Sequence, residues 1–448
     1  MKTSQVAKRL LVGVVFTTLS LQLCRSAPIC GGVAPFSQNP QLAANFDTFL
    51  GVGVHLGGTQ GPYGNATAVI QDLSYVGARH VRDSAGGLLS GSNINGQWDP
   101  RAYDKLAAFN QAGIRFDIIM GPNMAGDLPK LEPYAQSIES LEGPNEPEYT
   151  KYNYKGLVGT PAAEQIQKDL YGAAKNDPAL GGLPVLNIAF ARASSTTNEG
   201  QLANYADFNN VHSYFTHGQS PRLKLDADLR GTVDTPGKPY IVTETGYPSD
   251  APGGPNGQFN AGGHNMVDED VQAKYLLDDV FDAFDLHVQR VYVYELFDEK
   301  PEPQDTDQEQ HFGLFRADGS PKPAAVALHN AMTILHGDPD AAPVPFPYSI
   351  QASPASGLTC NLYSLLLTRK TGVYDIVVWP EPTLWGADYK RAPQPAASNV
   401  DINFPIPQGS VRVFDPLLGT QAQSEYHGVS HLSLSLVDHP LIIETRGF

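Results

Sequence analysis

The 448-residue chain predicts an α/β protein: a (β/α)8 TIM barrel followed by a C-terminal antiparallel β-sandwich. Three observations carry that expectation. From Phe46 to His336 apolar strand-like runs alternate with amphipathic helical stretches, the pattern of repeated βα units around a parallel sheet. The Pro-rich stretch Gly337 to Pro347 interrupts the alternation and reads as a linker. Beyond it, from Tyr348 to Phe448, the runs are β-rich and separated by turn residues, which suits a small sandwich.

The amino terminus reads as an export signal over residues 1–26. Lys2, Lys8 and Arg9 precede an apolar stretch from Leu10 to Leu23, and Cys24 and Ser26 offer a small-x-small cleavage site. That stretch is shorter than the ~20 residues a spanning helix needs, so no membrane span is expected and a secreted or periplasmic location is. A membrane anchor and a lipoprotein processing box at Cys24 are the alternatives. Cleavage would leave Cys30 and Cys360, either as a disulfide or as two buried thiols. Residues 27–47 form an amino-terminal segment, and a strand from it pairing with the C-terminal domain would explain such a tie.

The barrel is assigned to residues 48–336. Its eight strand candidates are Phe49 to Leu56, Arg79 to Asp83, Ile114 to Met120, Ser137 to Leu141, Val185 to Phe190, Phe208 to Tyr214, Tyr240 to Thr243 and Arg290 to Tyr294. Helical patterns lie between them at Ala66 to Gly77, Arg101 to Gly113, Ala162 to Lys175 and Asp268 to Leu286, with a last helix from Pro321 to Leu335. A doubly wound open sheet has the same periodicity. It is disfavoured because no Gly-rich phosphate loop follows the first strand or precedes a helix. The linker spans 337–347 and the sandwich 348–448.

Composition narrows the function. With 41% apolar and 17% charged residues the chain is neither a disordered tail nor a channel. Its 30 Lys and Arg against 47 Asp and Glu leave a formal charge of -17, which repels phosphate backbones, so nucleic acid is not an expected partner. No Cys/His cluster has zinc spacing, and the acidic run Asp298 to Glu309, with Asp305 and Asp307, lacks the spacing of an EF-hand loop. No metal or cofactor is expected; oligomeric state is left open.

The chemistry lies at strand ends, where barrel enzymes keep their active residues. The segment Ile138 to Pro147 breaks at Gly143 and Pro144 and presents Asn145 and Glu146, while Tyr240 to Pro248 puts Glu244 at the end of the seventh strand. Two carboxylates meeting at one mouth suit glycosidic cleavage, in which one acid protonates the leaving oxygen and one carboxylate faces the anomeric carbon. Arg82 on strand two would hold a neighbouring carboxylate ionised.

Asn145-Glu146-Pro147 and Glu244, with Val211-His212-Ser213-Tyr214 between them, resemble the clan A glycoside hydrolases. Glu142 to Pro147 is similar to the β-xylosidase and α-L-iduronidase family, and Thr243 to Ser249 to the nucleophile segment of the endo-1,3-β-glucanase family. The resemblance covers residues 48–336 and implies a retaining enzyme: Glu146 as acid/base, Glu244 as nucleophile, Asn145 as donor to the substrate 2-hydroxyl and Tyr214 as donor to Glu244. It also implies that ionised Glu244 keeps Glu146 protonated until the sugar is bound covalently. One departure stands out, because the clan often has a Trp after strand eight where this chain has Tyr294-Glu295-Leu296-Phe297. Glu295 is thereby a rival carboxylate.

Further expected substrate contacts are His55, Arg82, His212, Glu295 and Trp98, with Tyr63 and Trp98 read as either stacking platforms or core. For Arg82 and His212 the alternatives are a structural ion pair and a satisfied core histidine; Glu139 and Glu142 read as structural. The Gly- and Asn-rich loop Ser249 to Asn265 is either a wall of the cleft or plain surface, and Arg192 or His264 could favour anionic sugars locally. Asn65-Ala66-Thr67 is a glycosylation sequon in a eukaryotic host only. The expected function is a secreted retaining glycoside hydrolase acting on a β-linked oligo- or polysaccharide. The alternatives are a non-catalytic carbohydrate-binding protein on the same barrel and a polysaccharide lyase.

Overall fold

The computed structural model describes residues 29, 34–57, 61–90, 102–198, 202–250, 266–299, 308–353, 361–386 and 391–447. The segment 1–26, Cys30, Trp98, His264, Asp305, Asp307, Cys360 and most of the 249–265 loop lie outside the described residues.

Eight parallel strands make the barrel: β1 (Leu50–Gly53), β2 (His80–Ser84), β3 (Arg115–Ile119), β4 (Ile138–Glu142), β5 (Val185–Leu186), β6 (Asn209–Tyr214), β7 (Tyr240–Gly246) and β8 (Val291–Val293). They pair in the order β6-β7-β8-β1-β2-β3-β4-β5, and a parallel bridge between Leu186 and Phe208 joins the two ends. Both faces of these strands are covered, so they carry near-continuous buried runs such as Val52, Val81, Ile118, Leu141, Val242 and Val293.

Outside the strands lie α1 (Ala66–Tyr75), α2 (Ala102–Gln111), α3 (Met124–Leu131), α4 (Thr160–Asn176), α5 (Pro221–Gly231), α6 (Glu269–Asp285) and α7 (Pro323–Leu335). Their starts follow local chemistry. Asn65 accepts from the Ala68 N–H ahead of α1, Asp268 accepts from the Val271 N–H ahead of α6, and α4, α5 and α7 carry Pro in the first turn, where its missing donor costs nothing.

Three strands depart from expectation by three residues or more: β1 stops at Gly53 rather than Leu56, and the other two departures bear on the site. β5 ends at Leu186 because the chain beyond it runs beside Asn145 and Glu146 through single contacts: Ala189 bridges Asn145 and its carbonyl accepts the Glu146 N–H at 2.7 Å. β7 continues past Thr243 to Gly246, and its register against β6 steps from Val211–Val242 to His212–Glu244, so Thr243 is an extra residue. Such a bulge re-aims side chains next to it.

The C-terminal strands are β9 (Phe346–Ser353), β10 (Leu362–Lys370), β11 (Val373–Pro380), β12 (Ser398–Phe414), β13 (Ser424–Leu436) and β14 (Leu441–Arg446). They pair antiparallel in the order β9-β12-β14-β11-β10, with β13 also on β12. The amino-terminal strand Ala34–Gln38 adds antiparallel to β9, and Gln41–Leu42 adds parallel to β10. Alternation along β11 divides its side chains: Tyr374, Ile376 and Val378 enter the sheet's own core, whereas Val377 and Trp379 join the barrel's core. The Trp379 ring lies 5.8 Å from that of Phe281 on α6, so the two domains share apolar packing. Among the described residues no helix is long and apolar enough to cross a membrane.

Candidate active site

A cavity of about 1280 Å³ opens at the carboxyl ends of the barrel strands. His55, Arg82, Asn145, Glu146, Tyr214 and Glu244 all line it. The turn after β4 delivers Asn145 and Glu146. A side chain at Gly143 would run into Gln167 and the backbone of Ile188, so only glycine lets the chain turn there. Glu146 itself has a positive φ of 43°, a left-handed conformation costing a residue of its type roughly 1–2 kcal/mol. Its N–H is bound to Ala189, and its carbonyl accepts from Tyr149 and Thr150 at 3.0 and 2.8 Å. Strain held in place this way is common where a side chain must be aimed.

Arg82, buried in the barrel, organises the acidic groups. Its Nε and one terminal nitrogen grip Glu142 at 2.7 Å each, the other terminal nitrogen reaches Glu244 Oε1 at 2.5 Å, and the first also donates to Asn145 Oδ1 at 2.6 Å. The last contact orients the Asn145 amide so that its nitrogen is the group left to donate. Glu142 is fully buried beside Asp117; burial, and then Glu142's charge, push the Asp117 carboxyl well above the usual carboxylate range. Glu244 also accepts from the Tyr214 hydroxyl at 2.7 Å. Burial alone would raise its pKa. The charges of His212 and Arg82 and the hydrogen bonds from Tyr214 and Arg82 outweigh it, and the pKa falls to about 2.

His212 bridges the two glutamates. Its Nδ1 lies 2.8 Å from Glu146 Oε1 and 3.5 Å from Glu244 Oε2. One oxygen of each carboxylate and a ring nitrogen of His212 fall within 4.8 Å of one another. That trio has metal-ligand types, but Arg82 already sits on Glu244, a poor neighbour for a second cation. A second trio, His55, Glu295 and Glu299, is likewise close, with His55 and Glu295 already bonded to each other.

Other expected residues fall differently. Glu295 has no exposed surface, so it is neither a rival carboxylate nor a direct substrate contact. It accepts from the Tyr63 hydroxyl at 2.9 Å and pairs with His55 at 3.1 Å. Burial disfavours the His55 cation, yet the hydrogen bond and charge of Glu295 raise its pKa to about 9. Tyr63 is buried against Phe297 and so belongs to the core, not to a stacking platform. Glu139 pairs with His80 and Arg290, away from the cavity. Trp98 and His264 lie outside the described residues.

The sequence reading missed three features. Glu142 is the main anchor of Arg82. Tyr294 and Phe312, rings 5.4 Å apart, line the cavity after β8, where the resemblance implies a Trp. Tyr149, 62% exposed, forms the far wall with Arg192, whose guanidinium donates to the Tyr149 hydroxyl at 3.3 Å. Nothing in Pro147-Glu148-Tyr149 marks that tyrosine, although its position three residues past Glu146 is a hint.

No protein-family model matches the chain, and no curated protein matches it. Solved structures do. A family 39 glycoside hydrolase from Bacteroides cellulosilyticus WH2 superposes with a TM-score of 0.58 at 14% identity, covering 90% of this chain and 82% of its own. A monomeric β-xylosidase from Caulobacter crescentus CB15 gives 0.56 at 14%, covering 95% and 98%. A family 30 subfamily 8 xylanase from Clostridium acetobutylicum gives 0.52 at 12%, covering 89% and 96%. Likeness at that identity establishes a shared fold, barrel and β domain together; function has to be argued from the site.

Proposed function

We propose that the chain is an exported glycoside hydrolase that cleaves a β-linked oligo- or polysaccharide with retention of configuration. The observation that carries this is the pairing of Glu146 and Glu244 across one cavity, an oxygen of each within the same 4.8 Å cluster. Carboxyl groups about 5–5.5 Å apart leave no room for the water an inverting enzyme needs, so one of them attacks the sugar directly. Their surroundings assign the roles. Glu244, held ionised by Arg82 and Tyr214, is the nucleophile; Glu146, whose carboxylate among the described residues is bonded to His212 alone, is the acid and then the base.

In the first step a Glu244 oxygen bonds to the anomeric carbon as the glycosidic bond breaks, and the Glu146 proton goes to the leaving oxygen. In the second, water gives a proton back to Glu146 while its oxygen displaces Glu244. Asn145, aimed by Arg82, donates to the 2-hydroxyl and strengthens as charge develops at the anomeric carbon. The fold shared with glycoside hydrolases, a β-xylosidase among them, supports this reading, and the amino-terminal signal supports export.

The test is hydrolysis across a panel of aryl β-glycosides and β-linked glucans, xylans and uronic-acid glycosides, with NMR of the first anomer formed. Glu146→Gln should lose about 10²–10⁴-fold on poor leaving groups and far less on activated ones. Turnover that survives Glu244→Gln, or an inverted first anomer, overturns the assignment; binding without turnover in the unaltered chain favours a carbohydrate-binding protein.

A further inference from the structure

Hydrogen-bond accounting around His212 leads from Asn187 to the proton on Glu146. The Asn187 carbonyl oxygen can only accept, so the Asn210 amide that contacts it at 3.1 Å presents nitrogen there and turns Oδ1 the other way. Oδ1 receives the Thr243 hydroxyl at 2.5 Å, which uses the one hydrogen that hydroxyl has. Thr243 Oγ1 therefore meets His212 Nε2, 3.1 Å away, as an acceptor. Arg82 also approaches Nε2, at 3.5 Å, but both hydrogens of that terminal nitrogen are committed to Glu142 and Asn145. Nε2 thus carries a hydrogen. The β7 bulge makes this possible, because Thr243 is its extra residue and reaches the same imidazole as Glu244.

We infer that Thr243 and Asn210 are positioning residues that fix the His212 tautomer and thereby hold one proton on the Glu146–His212 pair. With hydrogen locked on Nε2, the 2.8 Å contact between Nδ1 and Glu146 Oε1 is a hydrogen bond only while one proton lies between them. Both forms, Glu146 acid with neutral imidazole or carboxylate with imidazolium, retain the proton the leaving oxygen requires. In the opposite tautomer Nδ1–H would satisfy an ionised Glu146 beside a neutral histidine, and the acid would be gone. The charged groups facing His212 are Arg82 from β2, Glu146 from the β4 turn and Glu244 from β7. Burial disfavours its cation, but Glu244's charge and the Glu146 hydrogen bond prevail and raise its proton affinity.

This deepens the hydrolase reading, and it has a readout that needs no turnover. In ¹⁵N-histidine NMR, with His212 assigned by its loss in His212→Ala, the neutral imidazole should carry its hydrogen on Nε2; hydrogen on Nδ1 would overturn the inference. Thr243→Val should move hydrogen toward Nδ1 and lower the alkaline limb of kcat/KM by about one pH unit, a tenfold loss of acid form. The effect should appear on poor leaving groups only, and Thr243→Ser should restore the unaltered profile. An unmoved limb, or equal loss on activated glycosides, counts against it. An inactive unaltered chain would sink the hydrolase reading and leave the tautomer measurement to stand or fall by itself.

Discussion

Two buried acid clusters gather around an arginine in this molecule, and they resolve their charge in opposite ways. At the barrel mouth Arg82 bonds Glu142, Glu244 and Asn145, Tyr214 adds a donor, and the Glu244 pKa drops to about 2. Where α6 meets the C-terminal sheet, Asp278, Asp282 and Glu381 are equally buried, and Asp279 on the same helix is buried against Thr245 of the barrel. Arg222 touches Asp282 at 3.3 Å and Asp285 at 2.7 Å, and Lys274 is committed to Asp270 and Asp438. There burial dominates: the Glu381 pKa rises to about 7, the Asp279 pKa to about 8, and Asp278 and Asp282 move well above the carboxylate range. Burial is common to both; the supply of donors and positive charge decides whether a carboxyl group is kept ionised for chemistry or protonated for packing.

The largest effect should come from removing each arginine. Arg82→Met strands Glu142 and Glu244 as uncompensated buried charges, and the expected loss is about 3–5 kcal/mol of stability. The acid limb of activity should move to higher pH as Glu244 loses its cation. Arg222→Met should cost much less at pH 5, because Asp282 takes up a proton instead. Urea unfolding of the two variants at pH 5 reads this; equal losses would erase the distinction between the clusters.

The next effect concerns pH. Groups whose pKa rises on folding stabilise fully below their ordinary values near 4, and that stability is lost as pH rises through about 7 for Glu381 and about 8 for Asp279. Glu244 has the opposite sign: its contribution is present above its ordinary 4.5 and lost as pH falls through about 2. Unfolding free energy should therefore fall between pH 5 and pH 8. Asp279→Asn keeps an acceptor for the Thr245 hydroxyl, which contacts it at 2.7 Å, and cannot ionise, so it should flatten part of that fall. Stability that is level or rising over the interval would contradict it.

The two clusters also differ in how far the sequence announces them. Glu146 and Glu244 are legible because a Gly-Pro turn and a strand end put each carboxylate where barrels keep ligands; Arg82 follows from its place on strand two, and Tyr214 only from the resemblance of Val211-His212-Ser213-Tyr214 to the clan A enzymes. The bond from Arg82 to Glu142 was hidden, because it reaches from β2 past β3 to β4, and no local pattern reveals the registers that bring the two together. The Thr243 bulge was hidden too, and with it the extension of β7 to Gly246. Asp278, Asp282 and Asp285 recur at helical spacing on α6, and nothing in the local pattern marks that stripe as buried. Docking of the C-terminal sheet, a contact between distant segments, is what buries that stripe.

The smallest expected effect tests whether that docking depends on the protonated state. Trp379 is fully buried, and its indole N–H donates to Asp282 Oδ1 at 3.0 Å. Phe in its place keeps most of the contact with Phe281 and removes the donor. While Asp282 is protonated at pH 5 the hydrogen-bond part of the loss is that of one ordinary bond, about 1 kcal/mol, on top of the packing lost with the smaller ring. As the neighbouring carboxyl groups ionise toward pH 8, the same donor faces growing negative charge, and its removal should cost more, about 1.5–3 kcal/mol. The difference between the two pH values isolates charge from packing, since the missing ring atoms weigh the same at both. A cost that does not change with pH would mean that the indole serves the interface through its shape alone, and that protonated carboxyl groups are not what holds the sheet on the barrel.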